Sequence, residues 1–374
     1  MDKKVDFLNL KQITSIHHQE YMDVIDEVLR DGWYIIGEKL NNFEKDFAKY
    51  SETKFAVGLA NGLDALILSL KSLDIGIGDE VIVPSNTYIA SWLAITHVGA
   101  TIRPVEPRID SYNIDCNLVE SAINKKTKAI MAVNLYGQAA ELSKLKDICN
   151  RNNLYLIEDN AQSQGAKCHN KPTGSYGIIN ATSFYPGKNI GAFGDGGAIT
   201  TDDIELYNKI KTLRNYGSNI KYFNEVIGYN SRLDELQAAI LNIKLKYLEN
   251  ENQFRVKIAD VYNDLLFNIG DLVLPTIAEN CTSVYHIFIV RTNVRDNLQG
   301  FLNSENISTM IHYPLPPHLQ KAYAYLGYKK NDFPISEEIA NTSLSLPIGP
   351  HLSIDEAEYV CKKIKYFFNN NNNK

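Results

Sequence analysis

The chain is expected to fold as an α/β protein, with a mostly parallel central sheet covered by helices on both faces and a smaller C-terminal α+β domain. Three observations predict this. Between about Lys54 and Thr201, short β-rich runs alternate with helical segments. The strand runs hold several apolar residues in a row, as strands buried on both faces do. Polar clusters recur where those runs end, the rim at which doubly wound sheets collect ligands.

The elements follow in order. "KFAVGLA" reads as a strand, and "GLDALILSLKSL" as a helix with apolar residues at helical spacing. "DEVIVPS", a helix through "IASWLAITHVG", "ATIRPVEP" and "KAIMAVNLYG" come next, then a helix through "ELSKLKDICNRN" and the strand "LYLIEDN". A further strand leads into "SFYPGKN", and "AITT" into a helix whose first turn is acidic, "DDIELYNKI". A long helical stretch runs from about Ser231 to Glu249. The expected division is a large domain over 1–250 and a small one over 251–374, with strand candidates "SVYHIFIVR" and "STMIHYP" in the latter. The asparagine-rich end, "FFNNNNNK", is expected to fray and to carry no site.

Composition excludes several classes. A formal net charge of -6 and a pI near 5.8 argue against a nucleic-acid surface. No run approaches transmembrane length, and "MDKKVDFLNL" lacks the apolar core of a signal peptide, so a cytoplasmic protein without a membrane partner is expected. Cys116, Cys149, Cys168, Cys281 and Cys361 show neither CxxC nor paired spacing, the pattern of reduced thiols without a disulfide framework or metal site.

The chemistry concentrates at the rim. Lys188 stands alone among glycines, aromatics and a proline in "SFYPGKNIGAFGDGGAI". Its plain alternative is a surface lysine in a turn. Desolvation by such neighbours would lower the amine's pKa and suit it to Schiff-base chemistry with a carbonyl. Asp159, ending a strand, is either a helix N-cap or a partner for a pyridinium nitrogen. Gln162, one turn on, could bond a ring oxygen or be an ordinary polar residue. Asn61-Gly62 opens a helix after a strand, leaving N–H groups free for an anion. Tyr88 is placed to stack on a planar ring, or simply to pack. A reactive lysine, a ring-nitrogen carboxylate, a phosphate cradle and a stacking aromatic are the four requirements of pyridoxal 5′-phosphate.

At these residues the sequence resembles the DegT–StrS family of sugar-nucleotide aminotransferases. The likeness runs from "GWYIIGEKLNNFEKDFAKY" through "SFYPGKNIGAFGDGGA", "EDNAQSQGA" and "NSRLDELQAA" to "LSLPIGPHL". It implies the fold type I, aspartate-aminotransferase-like architecture. It also implies that Lys188 binds the cofactor covalently, Asp159 the pyridine nitrogen, Gln162 the phenolic oxygen, and that Tyr88 stacks on the ring. Gly62, Leu63 and Ser183 would hold the phosphate, with Asn230 reaching it from the partner subunit of a homodimer with shared sites. Leu63 departs from the Thr or Ser of many relatives, so the backbone N–H is expected to serve there.

The implied reaction is transamination of a nucleotide-linked keto sugar, with L-glutamate as amino donor. Relatives that dehydrate the sugar carry histidine at the lysine position, so Lys188 favours amination. The stretches "NGLDALILSL", "SNTYIASWLA", "IHYPLPPHLQ" and "SLPIGPHL" are most similar to the branch acting on dTDP-3-keto-6-deoxyhexoses, which makes 3-amino-3,6-dideoxy sugars for surface glycans such as O-antigen. A 4-keto or UDP-linked sugar is the alternative substrate. Tyr185, Lys221, Tyr222, Arg255, His312, Tyr313 and His318 are the candidate substrate contacts. Lys221 and Arg255 would neutralise the diphosphate, Arg255 across the dimer, and "GWYIIG" would line the entrance. Two rivals are a non-catalytic regulator that binds the same cofactor and a dinucleotide oxidoreductase. For the second, "IGIGD" precedes a strand, the wrong order for the fingerprint.

Overall fold

The computed structural model describes residues 3–371. Seven strands form the main sheet: β1 (Phe55–Leu59), β2 (Glu80–Pro84), β3 (Thr101–Val105), β4 (Thr127–Val133), β5 (Tyr155–Asp159), β6 (Ile179–Ser183) and β7 (Gly197–Thr201). Their spatial order is β1-β7-β6-β5-β4-β2-β3. Pairing is parallel from β3 through β2, β4 and β5 to β6, and antiparallel where β7 joins β6 and β1. The mostly parallel sheet is therefore as expected. Its parallel strands put their carboxyl ends on one rim.

Helices α1 (Leu10–Ile16), α2 (His18–Asp31) and α3 (Glu38–Tyr50) precede the sheet. α4 (Gly62–Ser72) and α5 (Ile89–His97) pack on one face with α8 (Ile204–Arg214), around buried Leu66, Leu70, Val81, Trp92 and Ile210. α6 (Cys116–Ala122) and α7 (Leu142–Asn152) cover the other, around Ile130, Leu145 and Leu156. The acidic start of α8 behaves as its sequence indicates, with Asp203 accepting from the N–H groups of Glu205 and Leu206.

α9 (Glu235–Leu266) is one uninterrupted helix of 32 residues through position 250. Its first half packs Ala238, Leu241 and Leu248 against α3, and its second half packs Ile258, Tyr262 and Leu266 in a separate core. That second core is closed by α10 (Arg295–Ser304), α12 (Ile354–Asn371) and an antiparallel pair, β8 (Phe288–Arg291) and β9 (Ser343–Leu346). α11 (Pro334–Thr342) leads into β9.

Two strand expectations need correction. Only the end of "SVYHIFIVR" is a strand; residues 283–287 lie against the turn after β4, where Val284 N–H donates to Gly137 O at 2.9 Å. "STMIHYP" forms no strand: Met310 makes one isolated bridge to Ser345, and the prolines at 314, 316 and 317 remove the donors a ladder needs. The end of the chain does not fray immediately, since α12 continues to Asn371 with Phe367 and Phe368 buried; residues 372–374 lie outside the described residues.

Buried polar contacts lock the site's supports. Glu235 accepts from the N–H groups of Gly37, Lys39 and Leu40 at 2.8, 2.8 and 3.0 Å, satisfying the exposed donors at the start of α3. Buried Arg214 pairs with Glu44 and also donates to Gly58 O at 2.9 Å. Among the described residues no helix is long and apolar enough to cross a membrane.

Candidate active site

A cavity of about 770 Å³ opens at the carboxyl rim of the sheet. Its walls come from sequence-distant segments because parallel strands all end there. Asn61, Gly62 and Leu63 contribute the start of α4, Tyr88 the start of α5, Asp159 and Gln162 the end of β5, and Ser183, Tyr185 and Lys188 the loop after β6. Arg255 of α9 and the 310–313 loop complete it from the other side.

The anion cradle is built by close approach. Asn61 caps α4, its side chain accepting from Asp64 N–H at 2.8 Å, which leaves the Gly62 and Leu63 N–H groups pointing outward. A Cβ on Gly62 would lie 2.6 Å from Ser183 Cβ, so only glycine lets the helix start touch the β6 end. Gly197, on neighbouring β7, is similarly constrained: a Cβ there would meet the Asn61 carbonyl at 2.4 Å.

Lys188 lies on the cavity wall. Burial lowers its amine from 10.5 to about 8, with the Asp159 carboxylate opposing the shift. Asp159 is buried, and accepts from Ser91 Oγ at 2.8 Å and from Ala161 N–H at 3.2 Å. Burial nevertheless raises its carboxyl above the usual range, because these neutral donors and the charge of Lys188 do not offset desolvation. A cation brought against it would reverse that. Adjacent Glu158 faces the other side of β5, where it accepts from Gly174, Tyr176 and Asn134 and holds the following loop.

Gln162 bridges two walls: its Oε1 accepts from Tyr136 N–H at 2.7 Å and its Nε2 donates to the Tyr313 hydroxyl at 3.0 Å. Tyr313 also approaches Tyr88, with ring centroids 5.2 Å apart. Burial raises the Tyr313 hydroxyl and pushes His312 down to about 4, so His312 is neutral at pH 7. His312 Nδ1 lies 2.8 Å from Ser345 Oγ, and its ring stacks on Phe7.

Several expected residues lie elsewhere. His318 is fully buried in a turn, with Nε2 3.1 Å from Glu337 and its ring against Phe333; it packs and does not reach the cavity. Lys221 and Tyr222 sit on the exposed hairpin of Ser218–Ile220 and Phe223–Asn224, and Asn230 is exposed just beyond it; none lines this chain's cavity. Trp33, Tyr34 and Ile35 are exposed and equally outside it. Arg255, expected to act across a dimer, lies instead in its own chain's cavity. It is held by the Ile348 carbonyl at 3.2 Å, and burial lowers it to about 10.

Phe7, Leu8 and His286, which the sequence did not single out, also line the cavity. His286 Nδ1 lies 3.1 Å from Asn189 Oδ1, and burial with nearby Lys188 and Arg255 keeps it neutral. A polar residue within an otherwise apolar strand-like run was the available signal. Lys244 is a second lysine lowered to about 8 by burial, but it borders a smaller adjoining recess and stands over the Phe193 ring.

A desolvated amine, a buried carboxylate and a helix-start anion cradle on one rim define a site for Schiff-base chemistry on a phosphorylated ring cofactor. The chain belongs to the DegT/DnrJ/EryC1/StrS aminotransferase family, whose model matches residues 15–365. It is 49% identical to a dTDP-3-amino-3,6-dideoxy-alpha-D-galactopyranose transaminase of Aneurinibacillus thermoaerophilus over 97% of this chain and 99% of that protein. The crystal structure of Streptomyces venezuelae DesV in complex with a ketimine intermediate superposes with a TM-score of 0.96 at 45% identity, covering 97% of this chain and 98% of that one. NtdA from Bacillus subtilis, with bound cofactor PMP, gives 0.92 at 31% identity over 98% and 85%. The protein is an aminotransferase with the fold the resemblance implies.

Proposed function

We propose that the protein transfers the amino group of L-glutamate to a nucleotide-linked keto sugar, most specifically a dTDP-3-keto-6-deoxyhexose, giving the 3-amino-3,6-dideoxy sugar for surface-glycan synthesis. The observation that carries this reading is Lys188, a desolvated amine set between the Gly62–Ser183 cradle and buried Asp159. The relative from Aneurinibacillus supports the sugar class. The residues fit pyridoxal 5′-phosphate, which when bound supplies an electron sink for charge developing at the amino-bearing carbon.

The chain's own groups then divide the work. The Gly62 and Leu63 N–H groups and Ser183 Oγ would bind the phosphate. The Asp159 carboxylate would hold a proton on the ring nitrogen, and that cation would bring its own pKa back down. Tyr88 would cover a ring face, and Gln162 Nε2 would donate to the ring oxygen. Lys188 Nζ would hold the cofactor and would take up and return the proton that the transfer moves. An amine near 8 can do both at neutral pH. Tyr185, Arg255, His312 and Tyr313 would orient the sugar nucleotide, with His312 neutral and able to donate or accept.

The same reading makes the protein a cytoplasmic homodimer. Ile220, Tyr222, Phe223 and Ile227 leave apolar surface exposed on the 218–229 segment. Pairing of two copies would cover it and bring Asn230, Lys221 and Tyr222 to the neighbouring protomer's cavity. The division into large and small domains then falls within α9, near residue 250. A substrate panel of 3-keto and 4-keto dTDP- and UDP-sugars with glutamate, read by mass spectrometry, tests the assignment. Fastest amination of the 3-keto dTDP-sugar is expected; exclusive amination of a 4-keto sugar would contradict the sugar assignment.

A further inference from the structure

Cys168 and Cys281, far apart in sequence, stand opposite each other in an isolated antiparallel bridge on the flank of the large sheet. The hydrogen bonds around them fix the geometry. Thr282 N–H donates to Lys167 O and His169 N–H to Asn280 O, each at 2.7 Å. The bonds therefore join the residues on either side, and the two cysteines form the non-hydrogen-bonded pair. In such a pair, α-carbons lie about 4.5 Å apart and side chains project to the same side. That spacing falls within the range a disulfide accepts, about 4.4–6.8 Å between α-carbons. The Cys281 thiol donates to the Ala140 carbonyl at 3.5 Å, and the two thiols influence each other electrostatically.

We propose that Cys168 and Cys281 form a thiol-disulfide pair, oxidised by small-molecule disulfides, whose bond staples the 280–286 segment to the large domain. Access favours it: Cys281 is partly exposed beside exposed Asn280 and Thr282, while Cys168 is buried behind it. Cys281 attacks a small disulfide, forming a mixed disulfide and releasing one thiol. Cys168 then attacks the Cys281 sulfur and expels the second thiol. Two protein thiols are oxidised, one external disulfide is reduced to two thiols, and the protein protons pass to the two leaving thiolates. The staple reinforces a segment that matters to the site. Just beyond Cys281, Val284 is bonded to Gly137 and Asn189, and His286 enters the cavity. Cys116 is the other thiol close enough to influence Cys281 electrostatically, so it is the control for pairing.

The test uses the full-length holoenzyme incubated natively with oxidised glutathione. Remaining thiols are then alkylated under denaturing conditions, and the protein is digested for mass spectrometry. Free thiols should fall from five to three, the intact protein should lose the mass of two hydrogens, and one cross-linked peptide should join Cys168 to Cys281. C116S should form the same cross-link, its free thiols falling from four to two. C168S should instead stop at a glutathione adduct on Cys281. Persistence of all five thiols, a Cys116–Cys281 cross-link, or bond formation only after denaturation would overturn the proposal.

Discussion

The Gln162 side-chain amide donates to the Tyr313 hydroxyl at 3.0 Å, joining the end of β5 to the loop that closes the cavity from the opposite side. The same amide accepts from Tyr136 N–H at 2.7 Å, so its orientation is fixed from both ends. Tyr313→Phe leaves a buried donor unpaired, which costs about 1–2 kcal/mol. We expect the unfolding midpoint to fall because the lost bond stabilises the fold, and kcat/KM to fall with it as the loop loses its anchor, measured by thermal denaturation and steady-state assay.

The glycine at the start of α4 is a steric requirement. Gly62→Ala places a methyl 2.6 Å from Ser183 Cβ and pushes apart the two segments that form the anion cradle. Affinity for pyridoxal phosphate, titrated by absorbance, should weaken by about tenfold or more, equivalent to roughly 1.4 kcal/mol. Unchanged affinity would remove the cradle from that place.

Asp159→Asn keeps shape and removes charge. The loss of a buried charge partner costs about 2–4 kcal/mol, so turnover should fall by roughly 30- to 1,000-fold while the fold persists. Circular dichroism with a glutamate half-reaction assay separates the two effects.

The depressed lysine predicts a pH profile. Lys188 loses its proton near 8 when folded but near 10.5 when free of the fold. Capture of pyridoxal phosphate by apoprotein should therefore rise through about pH 8 and level off above it. An ordinary lysine would keep rising beyond pH 10. Between those two values the unfolded chain binds the proton that the folded amine has released, so this group makes stability increase with pH across that window.

Glu235 is a structural counterpart to these site residues. Three N–H groups at the start of α3 converge on its buried carboxylate. Glu235→Ala strands them and should destabilise the protein by about 2–4 kcal/mol in denaturant titration.

The parts of the fold legible in sequence were those with local causes. The parallel strands announce themselves by runs such as "VIV" and "AIMAV", and Asp203 and Asn61 mark helix starts by capping. Asp159 is legible as a polar residue ending an apolar strand, and Lys188 as a lone charge in the glycine-rich loop that follows one. What sequence could not reveal depends on distant pairing. "STMIHYP" alternates like a strand, yet the partner of β8 is "SLSL", some thirty residues further on. His318 has the residue type of a substrate contact, but Glu337 and Phe333 bury it. His286 and Phe7 reach the cavity only through tertiary packing, and Cys168 meets Cys281 across a bridge that no spacing rule encodes.

If Lys188 carries the cofactor, Lys244 is the amine to compare it with, because burial lowers both to about 8. Borohydride reduction of the holoenzyme makes a lysine-bound carbonyl cofactor permanent, and peptide mass spectrometry then locates it. The phosphopyridoxyl mass should appear on the peptide containing Lys188 and on no other. Label on Lys244, or none on Lys188 in protein that still transaminates, would contradict it.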